Sequence, residues 1–286
     1  MILLRAISGF RLVSRDSHWL ARFYQAIGFI LGTAGPIDAA EMSLLGLAGA
    51  GTRLPLTLGP SLVELDSCER AGHPYPADMT AMDSKFQHLA LVTTDIAAAW
   101  ARAIAAGATA IGRDGPVVLP AASGGVIAVK FRDPEGHPLE FLQFPGGTNA
   151  AWTGTGVLGI DHSAIPVADV ERSIAFYTAH GLTQSNRTLN EDLAQVTLDG
   201  IGGQCGAADA GAHTSACRIA RLSRVSPADP RSADARRHRG HADRVSRGLR
   251  RAAARWRRPP APASQGTQSL ERRNGSAVIA HRDSFA

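Results

Sequence analysis

Histidine and glutamate side chains recur at matching places in this sequence. His88 in "FQHLALVTTD" aligns with His162 in "IDHSAIPVAD", and Glu64 in "SLVELD" stands at the place equivalent to Glu140 in "HPLEFL". Imidazole and carboxylate groups are common protein ligands of divalent ions such as Zn, Mn, Fe and Ni. A carboxylate close to a substrate carbon can instead move a proton. These four residues are therefore our candidate metal ligands, and Glu64 and Glu140 are also candidate catalytic bases.

The elements that must position these residues occur three times along the chain. Residues 7–29 align without a gap with residues 160–182, and residues 86–108 form a third copy. In each copy an apolar run predicts a strand, an Asp can cap the helix that follows, and a Gly suits the helix end. Strand-like segments follow the first two helices, among them "EMSLLGLAG", "RLPLTLG" and "SLVELDS". The sequence therefore predicts repeated βαβββ units.

The second unit contains a strong hairpin signal. Its segments "GVIAVKF" and "HPLEFLQF" are joined by "RDPEG". Pro134 suits the first central position of a type I turn, and Gly136 can supply the positive φ that follows it. We interpret His137, beside this glycine, as a turn residue.

These motifs, above all "RDPEGHPLEFLQF" and "FQHLALVTTD", resemble the vicinal oxygen chelate (VOC) superfamily of glyoxalase I, bleomycin-resistance proteins and extradiol dioxygenases. The resemblance implies an α+β, glyoxalase-like fold in which paired βαβββ units form a curved mixed sheet. It covers residues 1–145 as a first domain, with units at about 1–67 and 84–145, and residues 157–203 as an incomplete second domain after a linker at 146–156. Because one fold hosts many chemistries, the resemblance selects no single reaction.

The resemblance also implies ligand positions on the first and last strands of paired units. In residues 1–145 these positions hold Gly9, Glu64, His88 and Glu140, and His162 holds the first-strand position of the second domain. Gly9 departs from the pattern, because glycine offers no ligand atom. A structural reading stays open beside this one. A lone strand histidine is often only a hydrogen-bonded structural residue, and Glu140 can pair with a nearby cation.

The charge of the chain changes sharply after residue 203. Residues 1–203 hold 13 Lys and Arg against 19 Asp and Glu, whereas residues 204–286 hold 17 Arg, no Lys and 6 acidic residues. The stretch "HADRVSRGLRRAAARWRR" alone would indicate a polyanion-binding arm. The tail has no apolar periodicity, however, and predicts disorder. Its richness in Arg, Ala, Pro and Ser is typical of GC-rich DNA read in a wrong frame.

A frameshift near Gly203 would explain why the repeat pattern stops. With chosen synonymous codons, residues 216–224 read one base later give HVELLGYR, and residues 234–245 give TPDDIAATRIV. Both products resemble strand regions of the expected fold. On this hypothesis the tail is lost coding for a fourth unit, and we do not expect nucleic acid to be a partner. Resequencing the locus, together with peptides from the tail, decides the question.

Besides nucleic-acid binding by the Arg-rich tail, three functions stay open at this stage. The chain could be a metal-dependent lyase, isomerase or dioxygenase acting on a small molecule with adjacent oxygens, a metal-free binding protein of the bleomycin-resistance kind, or an inactive frameshifted product. The three cysteines show no paired spacing, the start does not resemble a signal peptide, and no stretch reaches the roughly 18 apolar residues of a membrane span. We therefore expect a cytoplasmic protein with a small-molecule ligand and no membrane partner, and leave a homodimer open.

Overall fold

The computed structural model describes residues 7–70, 72–81, 83, 85–112, 115–146, 152–190, 193–201, 217–223 and 277–282. The first repeat contains five strands and two helices: β1 (Phe10–Val13), α1 (Ser17–Ala26), β2 (Ile30–Leu31), β3 (Gly35–Pro36), α2 (Ala39–Leu44), β4 (Gly51–Leu58) and β5 (Ser61–Cys68). The second repeat contains β6 (His88–Thr93), α3 (Ile96–Ala105), β7 (Thr109–Ala110), β8 (Val117–Val118), β9 (Ile127–Arg132) and β10 (Pro138–Gln143).

The third repeat begins with the longest strand of the described chain. It contains β11 (Val157–Val167), α4 (Val170–Ala179), β12 (Thr183–Asn190) and a short helix, α5 (Leu193–Leu198). Two further strands come from the basic tail: β13 (Cys217–Ser223) and β14 (Ala277–Arg282). Among the described residues, no helix is both long enough and apolar enough to span a membrane.

The predicted helix starts are confirmed in all three repeats. The carboxylates of Asp16, Asp95 and Asp169 each accept a hydrogen bond from the backbone N–H three residues later, at 3.0 Å in every case. This contact satisfies one of the amide groups that the first turn of a helix leaves without a partner. A glycine with positive φ follows each helix, at Gly28, Gly107 and Gly181. One local design therefore orients the helix that follows each first strand.

The predicted hairpin of the second repeat is also confirmed. Strands β9 and β10 pair antiparallel from Pro138 opposite Arg132 to Gln143 opposite Ile127. Gly136 lies in the turn with a φ of +98°. The turn fixes the register of the two strands, so Glu140 on β10 lies directly opposite Lys130 on β9.

The sheets pair the repeats differently from the arrangement that the resemblance implies. A five-stranded sheet contains only the first repeat, in the order β1-β5-β4-β2 with β3 beside β4. A nine-stranded sheet has the order β12-β13-β14-β11-β6-β10-β9-β7, with β8 beside β9. The second repeat thus shares its sheet with the third repeat, through the antiparallel pair β6 and β11. The predicted α+β fold with mixed sheets is confirmed, but the first two repeats do not share one sheet as expected.

The first two repeats meet through a common hydrophobic core instead. Buried side chains of α1, such as Leu20 and Tyr24, belong to the same cluster as Leu91, Phe131 and Phe141 of the second repeat. All five are almost completely buried. Burying such large side chains is a main stabilising contribution in a domain of this size. The two repeats are therefore joined by their cores, while the other face of the second repeat's sheet holds the polar residues described below.

Two segments with strand-like sequences form helices. The segment "EMSLLGLAG" contributes to α2, because Asp38 accepts hydrogen bonds from the backbone N–H groups of Ala40 and Glu41 and caps a helix there. The segment "LAQVTLDG", which the repeat pattern suggested would continue the third unit normally, forms α5. Short apolar stretches fit either period, so the sequence pattern alone did not separate these cases.

Two segments of the tail that we expected to be disordered are strands in the structure. β13 pairs antiparallel with β12 and parallel with β14, and β14 pairs antiparallel with β11. In the first two repeats the first strand pairs parallel with the last one, as β1 does with β5 and β6 with β10. The third repeat departs from this pattern. The rest of residues 204–286 lies outside the described residues, and the frameshift hypothesis stays a prediction.

Candidate metal centre

Three of the sequence-predicted ligands meet on three adjacent strands. The order β11-β6-β10 places His162 and Glu140 on either side of β6, where each has Ala90 as its register partner. His88 lies two residues before Ala90 on the same strand and so faces the same side of the sheet. Ala90 is completely buried, and its methyl group leaves room between the longer side chains around it.

The distances within the cluster are short enough for the side chains to act together. His88 Nε2 lies 3.2 Å from Glu140 Oε2, and His162 Nε2 lies 3.9 Å from the same oxygen. One ligand atom from each of the three residues lies within 4.8 Å of the other two. Within the part of the chain that the structure describes, this is the one place where at least three potential metal ligands come together. The centroids of the two imidazole rings are 6.0 Å apart. Two imidazoles and one carboxylate therefore converge on one point.

Burial and neighbouring charges set the protonation of this cluster. Burial raises the pKa of Glu140, but the positive charge of Lys130 and the interactions with His88 and His162 outweigh it and lower the pKa to about 2. Burial lowers the pKa of His88, and Lys130 adds to this lowering, whereas Glu140 opposes it. At neutral pH Glu140 is thus an anion and His88 is neutral. These are the forms in which both side chains bind a metal ion.

The orientation of His162 is set by the residue before it. Its Nδ1 lies 2.9 Å from Asp161 Oδ2, and both side chains are buried. When Nδ1–H donates to this carboxylate, Nε2 carries the lone pair and points toward Glu140. Metal-binding histidines commonly have such a carboxylate partner, which fixes their tautomer.

The two ring nitrogens of His88 have different surroundings. His88 Nδ1 is buried and has no hydrogen-bond partner among the described residues. Leaving a buried polar atom without a partner costs about 1–3 kcal/mol. Because His88 Nε2 is the nitrogen that faces Glu140, the fit to an ion rests on the two imidazoles and the ionised carboxylate, which are usual protein ligands of divalent transition ions.

The short helix α5 covers part of the same face. Leu198 packs against Ala90, Ala128 and Leu142 in a small apolar cluster. The next residue, Asp199, accepts a hydrogen bond from Lys130 Nζ. Its other carboxylate oxygen accepts a hydrogen bond from Gln195 Nε2 at 2.9 Å. Sequence analysis missed these contacts, although Lys130 carried a signal as the one charged residue within "GVIAVKF".

Glu64 and Gly9 are not brought into this cluster. Glu64 belongs to the sheet of the first repeat, where its Oε2 lies 2.9 Å from Arg11 Nε and 3.6 Å from Arg53 Nε. Arg53 also contacts Asp66 with two hydrogen bonds, of 2.8 and 2.7 Å. Glu64 thus takes part in a surface network of ion pairs. A side chain at Gly9 would lie about 3.1 Å from the carbonyl oxygen of Leu62, so this position is also crowded.

His137 has a larger structural role than its interpretation as a turn residue implied. Its Nδ1 lies 2.7 Å from Asp133 Oδ2, and its Nε2 lies 3.0 Å from the carbonyl oxygen of Val13. Tyr24 also donates a hydrogen bond to Asp133, at 3.0 Å. Burial lowers the pKa of His137, but the contacts with Asp133 outweigh burial and raise the pKa above its usual value. The network ties the hairpin of the second repeat to the first repeat.

The chain matches no protein-family model and no curated protein sequence. Similar solved structures include a glyoxalase family protein from Bacillus cereus, with 17% identity over 50% of this chain and 96% of that chain, at a TM-score of 0.41. A glyoxylase/bleomycin resistance protein/dioxygenase domain from Frankia is 21% identical over 51% of this chain and 96% of that chain, at a TM-score of 0.37.

A V278E mutant of glyoxalase I from Zea mays matches a longer part of the chain. It is 20% identical over 62% of this chain and 56% of the maize protein, at a TM-score of 0.41. At these identities the likeness concerns the fold and leaves the reaction open. These three solved structures all carry a glyoxalase or glyoxylase name.

Proposed function

We propose that His88, Glu140 and His162 bind a divalent transition ion and that the chain is a metal-dependent enzyme for a small molecule with two adjacent oxygens. The observation that carries this proposal is the meeting of three buried donor groups around Ala90. Two histidines with one carboxylate form the ligand set of non-haem Fe(II) oxygenases. A dioxygenase is therefore the reaction class that these ligands support best, ahead of a lyase or an isomerase.

Each residue of the cluster has a defined part in this proposal. Glu140 supplies the charged ligand, because its low pKa keeps it ionised. The same low pKa makes Glu140 a weak base at neutral pH, so we assign it to metal binding rather than to proton transfer. His88 supplies a neutral nitrogen, and Asp161 holds His162 in the tautomer whose Nε2 faces the ion.

The bound ion would polarise the two adjacent oxygens of a substrate and, if it is iron, supply redox chemistry. Three protein ligands leave further coordination positions for that substrate. Buried apolar neighbours such as Ala90 and Leu142 exclude water from the floor of the site. Glu64 has no part in this proposal, because it pairs with Arg11 and Arg53 in the other sheet.

Elemental analysis of the purified full chain tests the proposal, after anaerobic loading with Fe(II) or Zn(II) and removal of loose metal. We expect one ion per chain and its loss in His88→Ala and Glu140→Gln. His73→Ala is the matched control, since His73 is exposed and lies outside the cluster. A chain that binds no ion but retains small-molecule binding would instead support the metal-free binding function.

A further inference from the structure

The helix α5 presents a carboxylate to a buried lysine beside the proposed metal centre. Asp199 accepts a hydrogen bond from Lys130, and Gln195 holds the second carboxylate oxygen. Each of the three residues is only 6% exposed. This ion pair is thus enclosed on the same sheet face as the metal-binding cluster.

The position of Lys130 places its charge close to any ligand of that centre. Lys130 lies opposite Glu140 in the antiparallel pair of β9 and β10. Side chains that are directly opposite in such a pair extend from the same face, with Cβ atoms about 4.5–5.5 Å apart. The effect of Lys130 on the pKa of Glu140 agrees with this proximity.

Stability alone gives little reason to bury this pair. Removing a lysine and a carboxylate from water is costly, and apolar residues of similar size often stabilise a protein as well or better. A buried ammonium does, however, make a strong charge-assisted contact with a carboxylate. The carboxylate of a ligand can use this contact in the same way as Asp199 does.

The packing of α5 allows such an exchange. The helix has six residues, and Leu193 at its start is 79% exposed. Its described apolar contact with the sheet is made near its end, by Leu198. A helix of this length is not stable by itself, so its place depends on these few contacts.

We propose that the site binds small molecules that carry a carboxylate in addition to two adjacent oxygens, with Lys130 as the residue that binds the carboxylate. Asp199 occupies the position of that carboxylate in the structure and is displaced when the ligand binds. Lys130 is therefore the residue that determines specificity for an anionic substrate. This inference rests on the proposed metal centre, since the adjacent oxygens are held there.

Two probes that differ by one carboxylate test the inference on the zinc-loaded full chain. Catechol has two adjacent oxygens, and 3,4-dihydroxybenzoate has the same pair and a carboxylate. Zinc is chosen because it has no redox chemistry of its own. Calorimetry measures the dissociation constants of both probes, and their ratio reports the contribution of the carboxylate.

We expect the ratio to favour 3,4-dihydroxybenzoate, and Asp199→Asn to increase that preference about tenfold by removing the competing charge. Lys130→Met is expected to bring the ratio to about one, whereas Lys130→Arg keeps the preference because it keeps the charge. Asp169→Asn is the matched control, because it removes the same charge at an exposed helix cap and should leave the ratio unchanged.

Zinc content, measured on the same samples, separates the two proposals. The wild type and Asp199→Asn could both bind zinc and yet bind catechol and 3,4-dihydroxybenzoate with equal dissociation constants. That result would overturn the role of Lys130 and leave the metal centre intact. If the wild type does not bind zinc, the metal centre fails and the inference about Lys130 fails with it. Because Asp199→Asn and Lys130→Arg preserve size and shape, the test does not depend on the folding of Lys130→Met.

Discussion

His162 Nε2 lies 3.9 Å from Glu140 Oε2, although the two residues belong to different repeats and reach each other across the central strand β6. The contact exists because β11 pairs with β6 along one edge, while β14 pairs with its other edge. The candidate centre is thus built at the junction of the second and third repeats. The candidate centre therefore includes a residue, His162, that follows the predicted linker at 146–156.

Replacing Ala90 with Val is expected to weaken metal binding without altering a ligand. Ala90 lies between His162 and Glu140 and is completely buried, so added methyl groups would enter the space where the ion is proposed to lie. We expect at least about a tenfold loss of affinity for Zn(II), together with a loss of about 1–3 kcal/mol in stability from overpacking. Competition with a chromogenic chelator measures the affinity.

Ala128→Val is the control for this substitution. Ala128 is equally buried and belongs to the same apolar cluster, but it lies on β9 and is not a register partner of a candidate ligand. It should lose comparable stability and keep its zinc affinity. Equal losses of affinity in both variants would mean that general distortion, and not the space beside Ala90, decides metal binding.

Glu64→Gln is expected to leave the metal content unchanged. Glu64 is in the other sheet and forms partly exposed ion pairs with Arg11 and Arg53, which contribute about 0–1 kcal/mol to stability. The same substitution at Glu140 should abolish the site. Elemental analysis of the two variants side by side checks this, and loss of metal from Glu64→Gln would show that the two sheets cooperate in binding.

His137 should make stability depend on pH. The contacts with Asp133 raise the pKa of His137 in the folded chain above the value of about 6.5 in the unfolded chain. Its protonated form therefore stabilises the fold, with the full contribution present below about pH 6.5 and lost as the pH rises through the folded pKa. His137→Asn keeps a hydrogen-bonding side chain but cannot become charged.

Urea unfolding of the wild type and His137→Asn at pH 6 and pH 9 measures this effect. The wild type should be more stable by about 1–3 kcal/mol at pH 6, and the difference should shrink at pH 9. The comparison between variants cancels the titration of the other groups. A difference that is constant, or larger at pH 9, would contradict a stabilising charge on His137.

Cleavage within residues 146–156 should not separate the chain into two independent parts. The incomplete second domain predicted at residues 157–203 would instead let limited proteolysis leave a fragment of about residues 1–150. In the structure β11 pairs with β6, and the backbone N–H of Ile160 donates a hydrogen bond to Ser61 Oγ at 3.0 Å. The third repeat therefore has contacts with both earlier repeats.

Size-exclusion chromatography of the nicked protein, followed by mass spectrometry, tests this. The peptide that contains β11 should elute together with the fragment that contains β6. Removing it would leave the edge of β6 exposed, which promotes association between chains. A stable monomeric fragment that lacks β11 would show that the first two repeats form a complete unit, as the sequence alone suggested.

The sequence was sufficient to predict the local parts of this fold. Asp16, Asp95 and Asp169 marked three helix starts, and Pro134 and Gly136 marked the hairpin, because caps and turns depend on a few adjacent residues. His88, Glu140 and His162 were chosen from equivalent places in the repeats and the resemblance, and the structure brings these three together. Their binding of a metal stays a prediction.

The arrangement of the repeats could not be predicted in the same way. Three repeats with similar first strands allow several pairings, and the choice of β11 as the neighbour of β6 depends on the packing of whole sheets. Glu64 was therefore grouped with His88, although Arg11 and Arg53 engage it elsewhere. The contact between Lys130 and Asp199 was missed because the repeat pattern did not predict the helix α5, which precedes Asp199.

The most direct measurement of the central proposal is an anaerobic Co(II) titration of the full chain, followed by visible absorption. Cobalt(II) reports its coordination through its visible spectrum and accepts the same ligand types as zinc and iron. We predict saturation at one equivalent in the wild type and in the control His18→Ala, and loss of the bound spectrum in His162→Ala. An unchanged spectrum in His162→Ala, or no bound cobalt in the wild type, would contradict a metal centre shared by the second and third repeats.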